Sequence, residues 1–98
     1  DPLGGRETGA RAVVAYRVEY TPRATHELAA LPHEVQRRIV PRIDALAQDP
    51  RPPGSKKLRG YQHRWRIRIG DYRVIYDVFD KELRILVVKI GHRSDVYE

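Results

Sequence analysis

The chain has 98 residues, 41% of them hydrophobic and 33% charged, the balance of one small folded domain rather than of a disordered segment. Nineteen Lys and Arg against thirteen Asp and Glu leave a net charge of +6, which favours an acidic partner: nucleic acid, an anionic surface or an acidic protein. Without cysteine there is no disulfide, thiolate nucleophile or Cys-ligated zinc, and no stretch approaches the roughly 20 apolar residues that cross a bilayer.

Residues 1–12 (DPLGGRETGARA) mix Gly, Pro and both charges without a period, and read as a flexible leader. They lack the basic stretch and apolar core of a secretory signal, so a cytoplasmic domain over residues 13–98 is expected. Order begins near Val13. Tyr16, Val18 and Tyr20 alternate with polar residues, the mark of a half-buried strand. Thr21-Pro22 reads as a helix N-cap followed by the first helical residue, where a missing N–H costs nothing. This helix is short, because Pro32 interrupts the pattern after Leu28 and Leu31 and opens a second one. In the second helix Val35, Ile39, Ile43 and Leu46 recur every three or four residues, with Pro41 an irregularity inside it.

Asp49 to Ser55 (DPRPPGS) is a loop, and the remainder reads as strands. Arg64 to Ile69 alternates, with Trp65, Ile67 and Ile69 inward and Arg64, Arg66 and Arg68 outward. Gly70-Asp71 is a tight turn, Tyr72 to Phe79 the next strand, and Asp80-Lys81-Glu82 the turn into Leu83 to Ile90. That last strand is apolar on both sides, with Ile85 and Val87 on one and Leu86, Val88 and Ile90 on the other, so it belongs inside the sheet. The expected fold is α+β: an N-terminal strand, an αα-hairpin, then a three-stranded antiparallel meander, all in one small sheet. The hairpin covers one face, and the arginine face stays wet.

Chemistry concentrates late in the chain. Between Lys56 and Arg73 lie Lys56, Lys57, Arg59, Arg64, Arg66, Arg68 and Arg73, with Asp71 the only acid in that window. Arg66 and Arg68 share a strand face about 7 Å apart, close to the spacing of adjacent phosphates on one nucleic-acid strand. Guanidinium groups grip phosphate oxygens in pairs and stay charged. Such a row is either a phosphate-binding surface or a solvated face that discourages edge pairing, and the spacing favours the first. Trp65 alternates with isoleucines and belongs to the core rather than to a stacking platform. His26, His33 and His63 lack metal-ligand spacing, so neither metal nor cofactor is expected. The run Gly91-His92-Arg93-Ser94-Asp95-Val96-Tyr97 puts an imidazole, a guanidinium and a phenol at the end of a strand, with His92 able to move a proton near neutrality.

Five segments, in this order and spacing, resemble the RelE family of bacterial toxins within the RelE/ParE superfamily. They are Tyr20-Thr21-Pro22-x-Ala24 with Glu27-Leu28, Leu31-Pro32, Lys57-Leu58-Arg59-Gly60, Arg66 to Tyr76, and Gly91 to Tyr97. The resemblance spans Tyr16 to Tyr97. It implies a toxin of a type II toxin–antitoxin pair that enters the ribosomal A site and cuts messenger RNA without metal, the ribose 2′-hydroxyl attacking its own phosphate. It further implies catalytic roles for Arg66, Arg68, Arg73, Arg93 and Tyr97, and RNA contacts by Lys56, Lys57, Arg59 and Arg64. The partners implied are the ribosome, messenger RNA and an acidic, RelB-like antitoxin. The family carries lysines on the strand of Arg66 and Arg68, where one can act as base; an arginine does not give up its proton. The base is then His92 or Tyr97, or the ribosome contributes more of the catalysis. A ParE-like gyrase inhibitor and a catalytically weak RNA-binding protein are the alternatives.

Overall fold

The structure is a computed structural model and describes residues 15–94, so the leader 1–12, Val13 and the segment with Tyr97 lie outside the described residues. In chain order it runs β1 (Arg17–Tyr20), α1 (Pro22–Ala29), α2 (His33–Ala45), β2 (Lys56–Lys57), β3 (Arg64–Ile69), β4 (Tyr72–Phe79), a 3₁₀ turn (Asp80–Glu82) and β5 (Arg84–His92). The five strands form one sheet in the order β1-β5-β4-β3-β2. β1 runs parallel to β5, from Arg17 beside Arg84 to Tyr20 beside Val87; the other neighbours are antiparallel. The parallel pair needs a long crossover, and the helical hairpin supplies it.

Local signals act as the sequence suggests. The Thr21 hydroxyl accepts a hydrogen bond from the Ala24 N–H at 3.0 Å, and Pro22 stands at the first helical position. Pro32 precedes α2, which runs through Pro41. Its stripe of Val35, Ile39, Ile43 and Leu46 is buried against Ile67, Ile69, Val74, Tyr76, Val78, Ile85, Val87 and Ile90 of the sheet. Trp65 packs at the margin of this core, with the Arg51 guanidinium 5.3 Å above its ring. Gly70 turns the β3–β4 hairpin at φ +60°, a conformation that costs a residue with a Cβ.

Three features depart from the expectation. A fifth strand, β2, adds to the edge of β3, with Lys56 beside Arg66 and Lys57 beside Trp65. β5 does not alternate to its end. A bulge opposite the Ile75–Tyr76 step makes Val88 an extra residue, so Ile85, Val87 and Ile90 all reach the helix side. The face away from the helices is also not uniformly wet. Leu58 and Ile75 are buried there with Val88 against them, and Arg66, flanked by Lys56 and Ile75, is only 4% exposed.

Candidate nucleic-acid site

The β3–β4 register determines which cations meet. Residues opposite one another on neighbouring strands share a face. Arg68 therefore faces Arg73, Arg66 faces Ile75, and Arg64 faces Asp77. Two arginines opposite each other repel, roughly 5 Å apart at Cβ, and a shared anion relieves that repulsion. Arg68 is exposed, Arg73 half-buried and Arg66 buried, so the row descends from solvent into the sheet. On β5, Gly91 stands opposite Arg73 and Lys89 opposite Ile75, which adds a cation that the sequence reading placed only within an apolar run. The lone charge in that run was the signal for it.

Arg64 is different. Its Nε and Nη2 donate to the two carboxylate oxygens of Asp77 at 2.8 and 3.1 Å, and its guanidinium lies 4.5 Å over the Tyr61 ring. Asp77 raises its pKa further by bonding the charged form. Arg64, expected as an RNA contact, thus has its charge matched by an acid that lies just beyond the basic window.

Lys56, Lys57 and Arg59 are exposed on and after the edge strand β2. Beside them a groove of about 330 Å³ has a floor of Leu58, Ile75 and Val88 and a rim of Arg23, Tyr61, Arg64 and Lys89. Arg93 is exposed, and its N–H donates to the Asp71 carbonyl at 2.7 Å, tying the end of β5 to the turn between Arg68 and Arg73. His92 is not among these arginines. It stands opposite Tyr72, on the face that the helices cover, with the two rings edge to face at 5.5 Å. Its Nδ1 accepts the Ser94 N–H at 3.2 Å, so proton transfer at the arginine row is not where its ring points. Tyr97 lies outside the described residues.

α2 adds a further cation to this end of the sheet. A Cβ on Gly70 would meet Arg38 Nη1 at 3.7 Å, so Arg38 stands against the turn that separates Arg68 from Arg73. Among the described residues, Arg38, Arg68 and Arg93 have no ion-pair partner, whereas Arg17, Arg51, Arg64 and Arg84 each bond a carboxylate. The arrangement is a cationic end of one sheet face, suited to a run of phosphates. Among the described residues no group of three His, Asp or Glu could hold a metal ion, and no helix is long and apolar enough to cross a membrane.

Comparison with known proteins agrees with this fold. A family model described as the ParE toxin of the type II toxin–antitoxin system parDE matches residues 18–97. An Escherichia coli RelE-like toxin protein is 33% identical over 86 residues, which cover 84% of this chain and 90% of the relative. The mRNA interferase toxin RelE of Escherichia coli K12 is 28% identical over 88 residues, 86% of this chain and 92% of that protein. Among solved structures, the archaeal RelE–RelB complex from Pyrococcus horikoshii superimposes with a TM-score of 0.73 at 33% identity, over 84% of this chain and 99% of that one. The Mycobacterium tuberculosis RelBE2 toxin–antitoxin complex gives 0.74 at 26%, over 88% of this chain and 100% of that one.

Proposed function

The chain belongs to the toxin family of type II toxin–antitoxin systems that includes RelE and ParE, and from that premise we propose that it is a ribosome-dependent endoribonuclease cutting messenger RNA in the A site. The observation that carries this reading is the meeting of Arg66, Arg68 and Arg73 on one face at one end of the sheet, beside Gly91 and the tethered Arg93. In the proposed reaction the ribose 2′-oxygen attacks the adjacent phosphorus, and the bond to the 5′-oxygen breaks. The products are a 2′,3′-cyclic phosphate and a 5′-hydroxyl. Arg66, Arg68 and Arg73 stabilise the charge gathering on the phosphorane oxygens. Arg93 lies on the side of the departing 5′-oxygen, which takes its proton from water. The 2′ proton goes to a group other than these arginines, which hold their own protons at any physiological pH. We assign that step to Tyr97 in its phenolate form, with His92 or a group of the ribosome as the alternative base. The chemistry calls for no metal or cofactor.

A toxin of this type acts under the control of an antitoxin. Relatives of this fold are solved as RelB–RelE complexes, and a basic face with an apolar floor suits an acidic, RelB-like segment. We place both partners, the antitoxin and the ribosome with its messenger RNA, in the cytoplasm.

The deciding experiment is translation in vitro with purified protein, the messenger RNA ends being mapped by primer extension. Cuts at A-site codons only when ribosomes are present support the reading. Intact messenger RNA defeats it. A second reading has one observation behind it, since the matching family model bears the name of ParE rather than RelE. It expects inhibition of DNA supercoiling by gyrase with messenger RNA untouched, and the same preparation tests it.

A further inference from the structure

β5 changes neighbours halfway along. Its first half has β1 on one side, but β1 ends at Tyr20, opposite Val87, and the Thr21 N–H closes that contact on the Val87 carbonyl at 2.9 Å. The bulge follows at once. From Ile90 to His92 the strand keeps β4 on one side and has α1 on the other. An N–H in a strand interior needs an acceptor, and burying it without one costs about 1–3 kcal/mol. Here the acceptor is a side chain: Glu27 of α1 takes the Ile90 N–H on Oε1 at 2.9 Å, while Arg23 Nε holds Oε2 at 3.1 Å.

We infer that Glu27 is a positioning residue for the arginine site, standing in for the missing strand and fixing the segment that runs from Ile90 through Gly91 to Arg93. Gly91 is the cross-strand neighbour of Arg73, and the Arg93 N–H is bonded to Asp71, so a displacement at Ile90 is passed to both cations. The carboxylate works from the edge of β5, and the proposal gives it no contact with a reacting atom. A charge-assisted acceptor held by a second cation has little freedom to move, which suits it to this task. Misplacement of about 1 Å in a catalytic constellation costs on the order of 100-fold in rate. The inference rests on the cleavage site proposed above.

Three variants test it in ribosome-dependent cleavage. Glu27→Ala removes the acceptor and is expected to lower kcat by at least tenfold with KM unchanged. Glu27→Gln keeps an oxygen that can accept the Ile90 N–H and is expected to restore kcat to within about threefold. Arg23→Gln frees one carboxylate oxygen but leaves the other on Ile90, and its kcat is expected to fall between those of the parent and Glu27→Ala. Cleavage by Glu27→Ala at the parent rate overturns the inference, as does a Glu27→Gln protein as impaired as Glu27→Ala. Amide hydrogen exchange at Ile90 reads the strut without reference to activity: at least tenfold faster exchange in Glu27→Ala but not in Glu27→Gln is expected, and equal exchange in all proteins overturns it. If the parent protein itself fails to cut messenger RNA, the proposed function falls, and exchange at Ile90 alone decides whether Glu27 holds the strand.

Discussion

Arg73 and Arg64 look alike in the sequence, and the structure gives them different neighbours. Arg73 faces Arg68 at the cationic end of the hairpin, whereas Arg64 is matched twice over by Asp77. Arg73→Ala is therefore expected to reduce cleavage by 100-fold or more, since one cation at a developing phosphorane is worth about 3 kcal/mol. Its melting temperature should stay within a few degrees of the parent. Arg64→Ala is expected to do the reverse, leaving the half-buried Asp77 without its cation. It should cost about 1–3 kcal/mol of stability with little change in the cleavage rate per folded molecule. Equal effects of the two variants on both readouts would remove the distinction. The arginine row was legible in the sequence because strand alternation alone puts Arg66 and Arg68 on one face. The fate of Arg64 was not, because Asp77 becomes its neighbour only through the register of a hairpin. The burial of Arg66 was hidden for a related reason: a strand of two lysines gives no periodic signal, yet its presence beside β3 takes Arg66 off the sheet edge.

At the scale of elements, the helices and the three long strands follow from capping residues and apolar period. The parallel placement of β1, the short β2 and the bulge come from tertiary pairing, which no local pattern encodes. Pro41 is the local rule that α2 overrides. It lies exposed in the third turn, where it deprives the Arg37 carbonyl of its helical partner while the stripe around Ile39 and Ile43 stays buried. Pro41→Ala should restore that bond and raise stability by about 1–3 kcal/mol, read as a melting temperature at least 4 °C higher. An unchanged melting temperature would mean that the proline's restriction of the unfolded chain offsets its cost. A second junction links elements far apart in sequence. Asp80, in the 3₁₀ turn, accepts from the Tyr16 hydroxyl at 2.7 Å and from both terminal nitrogens of Arg51 at 3.2 and 2.7 Å. The Arg51 and Tyr16 bonds to the ionised carboxylate hold its pKa below the ordinary value. A carboxylate with a lower pKa in the folded state stabilises the fold above about pH 4, and that contribution is lost as pH falls through the folded value. Asp80→Asn should therefore flatten the acid limb of melting temperature against pH, leaving the part due to Glu19, which Arg84 and Arg17 hold down in the same way. Parallel profiles for parent and variant would exclude the junction as a source of acid sensitivity.

For the whole molecule the arrangement of charge matters more than its sum. Carboxylates engage Arg17, Arg84, Arg51 and Arg64 around the start of β5 and the end of β4, while Arg38, Arg68 and Arg93 gather around the β3–β4 turn. Three arginines without a carboxylate thus stand at one end of the described sheet, and an approaching polyanion is turned toward it. Association with ribosomes or with an acidic antitoxin should slow by at least tenfold between 50 and about 300 mM salt, with a much smaller change in dissociation, as read by stopped-flow fluorescence. A salt-independent association rate would assign recognition to the apolar floor of the groove instead.

The placement of β5 between β1 and β4 also sets an order of events in synthesis. Among the described strands β1 is the first to be made, and its neighbour in the sheet is the last. Until residues 84–87 emerge, Arg17 to Tyr20 lack that neighbour, and the stripe of α2 lacks Ile85, Val87 and Ile90 beneath it. The meander can form early as local hairpins, but closure of the long loop from β1 to β5 comes last and is the slow step. A protein proposed to attack ribosomes is thereby kept unfinished while most of it is still being translated, and an antitoxin already present meets it as it completes its sheet.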